Sequence, residues 1–358
     1  ITYNGACVLY QKKILGITLK QNLAKDGVHY EPRWFEEWPA GEVITITVGN
    51  DTFETGDIIY HFEGIQFGFE ICEDAWRKNK RPGYRLAERG VDLIINPSAS
   101  HFAMGKSELR EKEVIIDGSK TFQCAYLFVN HLGNEAGRMI YDGDIVIGQH
   151  GKLLGVNKRL SFRNYNLLAC EVNFEDPAAS ETLPATDNKE RNEELTQAVS
   201  LALYDYMRKS RSKGYALSLS GGADSSFCAV LVSEMVKRGS RELGWKKFCD
   251  DLGIAEAQVS DDWRKAVGMI LTCAYQGTKN SSSETLHAAK TLAESVGAVF
   301  YSWNIDEEVH SYTSRIEKAI GRKLTWETDD ITLQNIQART RSPIIWMLAN
   351  IRQSVLLT

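Results

Sequence analysis

Two kinds of periodicity divide the chain. Up to about residue 174, short runs of strand character recur at 44–48, 66–71, 91–95 and 125–129, each alternating or continuously apolar over four to six positions. Between the last two, residues 107–122 carry helical spacing with many charged positions. A later pair, 144–147 and 152–156, brackets Gly148-Gln149-His150-Gly151 and predicts a hairpin. Strands interleaved with a helix in this way predict a layered α/β domain. From 175 to 192, Pro177, Pro184, small residues and charges replace the apolar period, as expected of a connector.

Beyond the connector the period lengthens. A helix is predicted over 195–206, a strand over 215–219 and a helix over 227–236. A further helix is predicted over 284–296, with Ser281 and Glu284 as a capping box and Leu286, Ala289, Leu292, Ala293 and Val296 as its packed side. Gly297 ends it, and 298–301 returns to an extended pattern. Alternating strands and helices favour an open, mainly parallel sheet. The expected organisation is therefore a first domain over 1–174, a linker over 175–192 and a second domain over 193–358.

Composition fits this division. The 358 residues suffice for two domains with their own cores, and 43% hydrophobic with 25% charged residues is a soluble, globular balance. A net charge of −5 gives no reason to expect a nucleic-acid surface. Seven cysteines scattered without C-x-x-C pairing point to a reducing, cytoplasmic setting. No segment has the length and apolarity of a membrane span, and Ile1 begins no recognisable targeting sequence, so a missing upstream portion is expected.

The densest chemical signal is Ser220-Gly221-Gly222-Ala223-Asp224-Ser225-Ser226, between a predicted strand and a predicted helix. Paired glycines let backbone N–H groups converge, hydroxyls add donors, and the helix start attracts negative charge. A carboxylate beside phosphates makes sense when a divalent cation lies between them. The competing reading is an ordinary turn in which a serine caps the helix and Asp224 faces water. The loop lacks Walker A spacing and the G-x-G-x-x-G pattern.

Its S-G-G-x-D-S order resembles the pyrophosphate loop of ATP pyrophosphatases. Tyr275-Gln276-Gly277-Thr278, the following Lys279-Asn280-Ser281-Ser282-Ser283-Glu284-Thr285, and Gln334-Asn335-Ile336-Gln337-Ala338-Arg339-Thr340-Arg341 resemble segments of NAD synthetases, a likeness extending over 195–358. The resemblance implies that Ser220, Gly221, Gly222, Ser225, Ser226, Thr278 and Arg339 contact ATP, that Asp224 holds Mg²⁺, and that Asn335, Gln337 and Arg341 position substrate. It implies adenylation of the nicotinic-acid carboxylate of deamido-NAD, followed by attack of ammonia. Local readings remain for each segment: helix initiation for Ser281 and Glu284, and a solvated helix for 334–341.

Cys72 follows an extended run, and a lone cysteine there is commonly a small buried residue. Lys20 is readable as a solvated cation and Glu31 as a partner of Arg33 or Lys25. Taken together, Lys20, Glu31 and Cys72 resemble the glutamine amidotransferase domain of the nitrilase superfamily, over residues 1 to about 174. That resemblance implies an α-β-β-α sandwich, Cys72 as nucleophile, Lys20 at the oxyanion, and Glu31 organising the site. It also implies substrate contacts from Trp76, Ser98, Ser100 and Arg110 and a late turn at Tyr141-Asp142-Gly143, with Lys106 in the substrate-loop region; a surface charge suffices for Arg110.

The family's base glutamate lies upstream of its lysine, and none occurs among the nineteen residues before Lys20. The family's T-G-N-x-S-E segment, which supplies a second metal carboxylate, is approached only at Thr358. Both ends are thus expected to lack family segments, and the fragment alone is expected to be inactive. The resemblance also implies a homo-oligomer and an interior ammonia passage. Two competing functions are amidation of a different carboxylate and a noncatalytic nucleotide sensor.

Overall fold

A computed structural model describes residues 1–25, 29–135, 137, 139–184 and 191–358, which form two compact units, Ile1–Leu195 and Thr196–Thr358. The expected connector falls largely in the first: residues 185–190 lie outside the described ones, and 175–184 run along a sheet edge described below.

Unit 1 begins with strands β1 (Gly5–Tyr10), β2 (Lys13–Leu19), β3 (Val43–Val48) and β4 (Asp51–Gly56), in the sheet order β1-β2-β4-β3. β5 (Tyr60–Phe62) and β6 (Ile65–Phe69) start a second sheet, which continues after the short helix α1 (Gly83–Glu88) with β7 (Leu93–Ser98). A helical stretch follows, in which a π segment, Arg110–Ile116, sits between α2 (Lys106–Leu109) and α3 (Asp117–Phe122). After β8 (Ala125–Asn130) come the ribbon β9 (Leu132–Glu135) and β10 (Met139–Asp142), then β11 (Ile145–Gln149) and β12 (Lys152–Val156). The expected hairpin is β11–β12, antiparallel with a bulge at Ile147/Gly148.

The second sheet has the order β12-β11-β8-β7-β6-β5, with β6, β7 and β8 parallel. One face packs on the helical stretch through Leu86, Ile94, Val114, Ile115, Phe122, Tyr126 and Phe128, all nearly or fully buried. Burying each of these large side chains is worth roughly 1.5–3 kcal/mol relative to exposure. The two sheets approach at Gly16, where an added Cβ would come within 3.0 Å of the Tyr60 ring, and at a buried Thr18–Tyr60 hydroxyl contact of 3.2 Å. Lys152 Nζ donates to Ala178 O at 3.1 Å and Leu183 N to Leu153 O at 2.8 Å, which lays the connector along β12.

Unit 2 follows helix α4 (Arg191–Ser210) with β13 (Tyr215–Ser218), α5 (Ala223–Leu243), α6 (Trp245–Leu252), α7 (Glu256–Val259), α8 (Trp263–Ile270) and β14 (Leu271–Gly277). It continues with α9 (Ser283–Val296), β15 (Val299–Asn304), α10 (Asp306–Ile320), α11 (Asp330–Ile351) and β16 (Val355–Leu357). The sheet runs β15-β14-β13-β16 and every pairing in it is parallel, as expected of an open α/β domain. All seven residues of β14 are buried, the mark of a strand covered on both faces.

Three expectations change. α5 begins at Ala223, not 227, so Asp224 belongs to its first turn. Ser282, not Ser281, caps α9, accepting from Thr285 N at 3.2 Å, because the Ser281 hydroxyl is taken by Thr278 N at 2.9 Å. Leu286 faces outward, leaving Ala289, Ala293 and Val296 as the buried side of α9. Among the described residues no helix is long and apolar enough to cross a membrane.

Candidate active sites

Unit 1 holds a cavity of about 700 Å³ at one end of its sheets, and Lys20, Glu31, Cys72, Trp76, Ser98 and Ser100 all line it. Cys72 opens the short helix Cys72–Trp76 just past β6, with φ of +51°. A left-handed cysteine is uncommon and is held only where its surroundings determine it. Here the turn is closed by Asp74, the third helical residue, whose carboxylate reaches back to Ile71 N at 3.0 Å.

Lys20 follows β2 and is only 1% exposed. Its Nζ donates to Glu31 Oε2 at 2.5 Å. Glu31 also accepts from Ala24 N at 2.7 Å and from Asn4 Nδ2 at 3.0 Å. Its partner is therefore Lys20 rather than Arg33 or Lys25; Arg33 lies over the Trp34 ring, and Lys25 pairs with Glu37 at 3.0 Å. A buried ammonium with one carboxylate partner is a fixed positive group at the cavity wall.

The opposite wall comes from the end of β7 and the residues after it. Ser98 Oγ donates to Asn96 Oδ1 at 2.6 Å, Asn96 Nδ2 to the Tyr126 hydroxyl at 3.1 Å, and Tyr126 to Glu70 at 2.6 Å. Glu70 is also gripped by both ends of the Arg81 guanidinium, at 2.7 and 3.2 Å. Ser100 is fixed through its backbone, which exchanges two hydrogen bonds with the Asn130 side chain at 2.8 and 2.9 Å.

Arg110 does not reach this cavity. It is 0% exposed in the π segment and pairs with Asp142 at 3.1 Å and Asp144 at 2.7 Å, so it is neither a wall residue nor a surface charge. Two buried carboxylates draw it inward; burial, then Asp142, raises the Asp144 carboxyl above its ordinary range. The expected turn at 141–143 thus carries more than a change of direction. Asp142 anchors both Arg110 and Asn130, and burial followed by the nearby Cys72 sulfur raises the Tyr141 hydroxyl.

Sequence reasoning missed the supporting groups Asp74, Asn130 and Asp142, and also a His29–His101 contact of 2.9 Å at the cavity. An apolar or charged pattern does not disclose long-range hydrogen bonds of this kind. The Asp-Gly-Asp at 142–144 reads locally as a turn.

In unit 2, Ser220, Gly221 and Gly222 connect β13 to α5 at the carboxyl end of the sheet, where open α/β sheets bind ligands. Ser220 Oγ meets Ser225 Oγ at 3.0 Å and accepts from Gly222 N at 3.2 Å; Ser225 Oγ donates to Gly222 O at 3.2 Å. Gly221 has φ of +82°, and an added Cβ would lie 2.4 Å from Thr285 O. Only glycine fits there, and the loop is locked against the start of α9. Ser226 N donates to Gly222 O at 3.1 Å within the first turn, and Asp224 is exposed beside it.

Thr278 lies just past β14 and shapes the adjoining turn, its Oγ1 accepting from Asn280 N at 3.3 Å. Arg341 reaches from α11 to Gln276 O at 3.1 Å and to Gln337 O at 3.2 Å. Gln276 in turn donates to Ser218 Oγ at 3.1 Å, joining the ends of β14 and β13. Asn335 and Arg339 are exposed and bonded to each other at 2.8 Å. The arrangement offers hydroxyls, backbone amides, a helix start and the exposed Asp224 carboxylate at the carboxyl end of the sheet.

Comparison with known proteins identifies the ensemble. The family described as NAD synthase matches residues 195–358. A crystal structure of a glutamine-dependent NAD(+) synthetase from Cytophaga hutchinsonii is 47% identical, aligns over 99% of this chain and 58% of its own, and superposes with a TM-score of 0.87. Along nearly its whole length this chain is similar to the glutamine-dependent NAD(+) synthetase family. The family's Homo sapiens member is 27% identical over 98% of this chain and 57% of its own length. A structure from Acinetobacter baumannii in complex with ADP, 21% identical, shares the fold with a TM-score of 0.74. The chain spans 57% of the length of the Macaca fascicularis relative, also 27% identical. Unit 1 is accordingly an α/β domain built on two main sheets and unit 2 an open, wholly parallel sheet with helices, a fold shared with the Cytophaga hutchinsonii structure.

Proposed function

We propose that this chain carries central catalytic residues of a glutamine-dependent NAD synthetase, with a glutaminase domain over 1–174 and an NAD synthetase domain over 193–358. The observation that carries the reading is the convergence of Cys72, Lys20 and Glu31 on one cavity, in a chain whose second unit ends its sheet in the Ser220 loop.

In the first reaction Cys72 Sγ attacks the side-chain carbonyl carbon of glutamine, and the C–N bond breaks. The thiol proton leaves with the nitrogen as ammonia, and water hydrolyses the thioester to glutamate. Lys20 supplies positive charge to the oxyanion that forms in each step, and Glu31 holds Lys20 in place. Trp76, Ser98 and Ser100 bound the glutamine.

In the second reaction the deamido-NAD carboxylate attacks the α-phosphorus of ATP, pyrophosphate leaves, and ammonia displaces AMP from the acyl adenylate to give NAD. Ser220, Gly221, Gly222, Ser225 and Ser226 hold the departing phosphates, with Thr278 and Arg339 as further ATP contacts. Asn335, Gln337 and Arg341 orient substrate. Asp224, beside the Ser220 and Ser225 hydroxyls of the same loop, is the hard oxygen group that would hold Mg²⁺. Such an ion would neutralise charge on the leaving pyrophosphate.

A homo-oligomer accompanies this reading: Tyr312, Ile316 and Ile320 on α10 and Trp346, Met347 and Ile351 on α11 are exposed apolar residues. Seven free cysteines suit a cytoplasmic setting.

The test supplies the intact protein with ATP, Mg²⁺ and deamido-NAD, with either glutamine or ammonium as nitrogen source. NAD, AMP and pyrophosphate are expected in equal amounts with both. Amidation of another carboxylate in place of deamido-NAD, or ATP binding without turnover, would overturn the assignment.

A further inference from the structure

Asp74 is 1% exposed and is not among the residues facing the cavity, yet it stands two positions after Cys72. Its Oδ1 accepts from Asn22 N at 2.8 Å and from Asn22 Nδ2 at 2.9 Å. Its Oδ2 accepts from Ile71 N at 3.0 Å, and its own N–H donates to Ile71 O at 3.1 Å. The first two bonds reach 52 residues back along the chain, to the segment that follows Lys20. The third closes the turn that gives Cys72 its φ of +51°. One carboxylate thus grips both the turn carrying the thiol and the segment carrying the ammonium.

A second bond runs parallel to this one, from Arg77 Nη2 to Leu23 O at 2.9 Å, joining the same two stretches nearer the protein surface. It fixes the far end of the short helix but makes no contact with the residue before Cys72. Lys20 itself is anchored on its other side by backbone bonds from Lys20 N to Asn4 O at 2.9 Å and from Trp38 N to Lys20 O at 3.0 Å. Lys20 is therefore held in its own sheet. What relates that sheet to the Cys72 turn at buried depth is Asp74.

We propose that Asp74 is a positioning residue that sets the distance and direction between the Cys72 thiol and the Lys20 ammonium. The proposal rests on the reading of Cys72 as the nucleophile. All three groups facing the carboxylate are N–H donors, so an acceptor is required on both oxygens. An asparagine in its place presents an NH₂ either to Ile71 N or to the two Asn22 donors, leaving a buried donor facing a donor. The isosteric change breaks the clamp without emptying the space.

The test compares Asp74→Asn, Asn22→Ala and Cys72→Ala in the intact protein. It measures kcat and KM for glutamine, the rate of thioester formation by rapid quench, and NAD formation with ammonium. Misplacing reacting groups by about 1 Å costs on the order of 10²-fold. Asp74→Asn is therefore expected to lower kcat and the thioester rate ten- to a hundredfold, with KM for glutamine changed less than about threefold. Asn22→Ala removes one bond of the three and is expected to lower the same rate by about three- to tenfold. Ammonium-supported NAD formation, an activity assigned to unit 2, is expected to persist in both, and a wild-type urea melt reports that unit 1 is folded.

If Asp74→Asn does not fold, the Asn22→Ala rate decides. Wild-type thioester rates in whichever variants fold, with Cys72→Ala unable to use glutamine, overturn the proposal and leave the nucleophile assignment standing. A loss confined to KM also overturns it, since that would mark a change in glutamine binding rather than in the approach of Cys72. Continued glutamine use by Cys72→Ala overturns the site reading itself, and the positioning proposal with it.

Discussion

Replacing Gly221 with alanine perturbs the Ser220–Ser226 loop at one atom. Gly221 has φ of +82°, and the new Cβ would meet Thr285 O at 2.4 Å. A left-handed conformation costs an L residue roughly 1–2 kcal/mol. Overpacking against a fixed backbone adds about 1–3 kcal/mol. The loop escapes part of this by moving: a 2.4 Å contact must open by about 1 Å to reach ordinary van der Waals distance. Displacement of that size at reacting groups costs on the order of 10²-fold in rate.

The assay is NAD formation from deamido-NAD, ATP and ammonium, run beside glutamine hydrolysis in the same preparation. Ammonium-supported synthesis should fall about a hundredfold, whereas thioester formation at Cys72, in the other unit, should stay within about twofold. Gly321→Ala is the comparator. Gly321 also has positive φ, +72°, but nothing lies within 4 Å of its added Cβ, so it shows the backbone cost alone. It should lose about 1 kcal/mol in urea unfolding and retain synthesis. Wild-type synthesis by Gly221→Ala, or an equal loss from Gly321→Ala, would refute the argument that this contact holds the loop.

Three further outcomes follow from other contacts. Lys20→Met should lower glutamine-supported turnover by about 10²–10³-fold and spare ammonium-supported turnover, because it removes the fixed charge at the cavity wall; equal rates with both nitrogen sources would contradict it. Arg110→Leu should cost roughly 3–5 kcal/mol of stability in urea melts, because the buried Asp142 and Asp144 lose their nearest cation and keep the more distant Arg159, 3.7 Å from Asp142; a loss under about 1 kcal/mol would show that solvent reaches the pair. Burial, opposed by the Asn22 and Ile71 bonds and reinforced by Glu70, pushes the Asp74 carboxyl up to about 6. Between its unfolded value of 3.8 and about 6 the folded state holds the extra proton, so this group's contribution to stability rises as pH falls through 6. Asp74→Asn should remove that slope, worth about 3 kcal/mol across the window, and an unchanged slope would contradict the assignment.

How much of this was legible in the sequence depends on the range of the interaction involved. Alternation and helical spacing mark elements whose reasons are local, and 125–129 and 152–156 correspond closely to β8 and β12. β14 is not marked by the pattern because a short, wholly buried strand directly after α8, with Thr272 and Gln276 among its apolar residues, has no period of its own. The start of α5 was placed late because glycine, aspartate and serine weaken helix propensity just where they serve as a helix beginning. Adjacent serines at 281 and 282 are equally good caps in isolation, and the choice between them is made by Thr278 N. Lys20, Glu31 and Cys72 stand out through their joint resemblance to a glutamine amidotransferase domain, since each read alone has an ordinary structural explanation. The burial of Arg110 and the reach of Asp74 to Asn22 depend on chain segments far apart in sequence, which no local pattern records.

The central claim is that Cys72 releases the nitrogen that unit 2 installs. Cys72→Ala in the intact protein, assayed for NAD formation with glutamine and with ammonium, tests it most directly. Glutamine-supported synthesis is predicted to fall at least about 10³-fold, while ammonium-supported synthesis stays within about twofold of wild type. Continued use of glutamine, or equal loss with both nitrogen sources in a folded variant, would contradict the account.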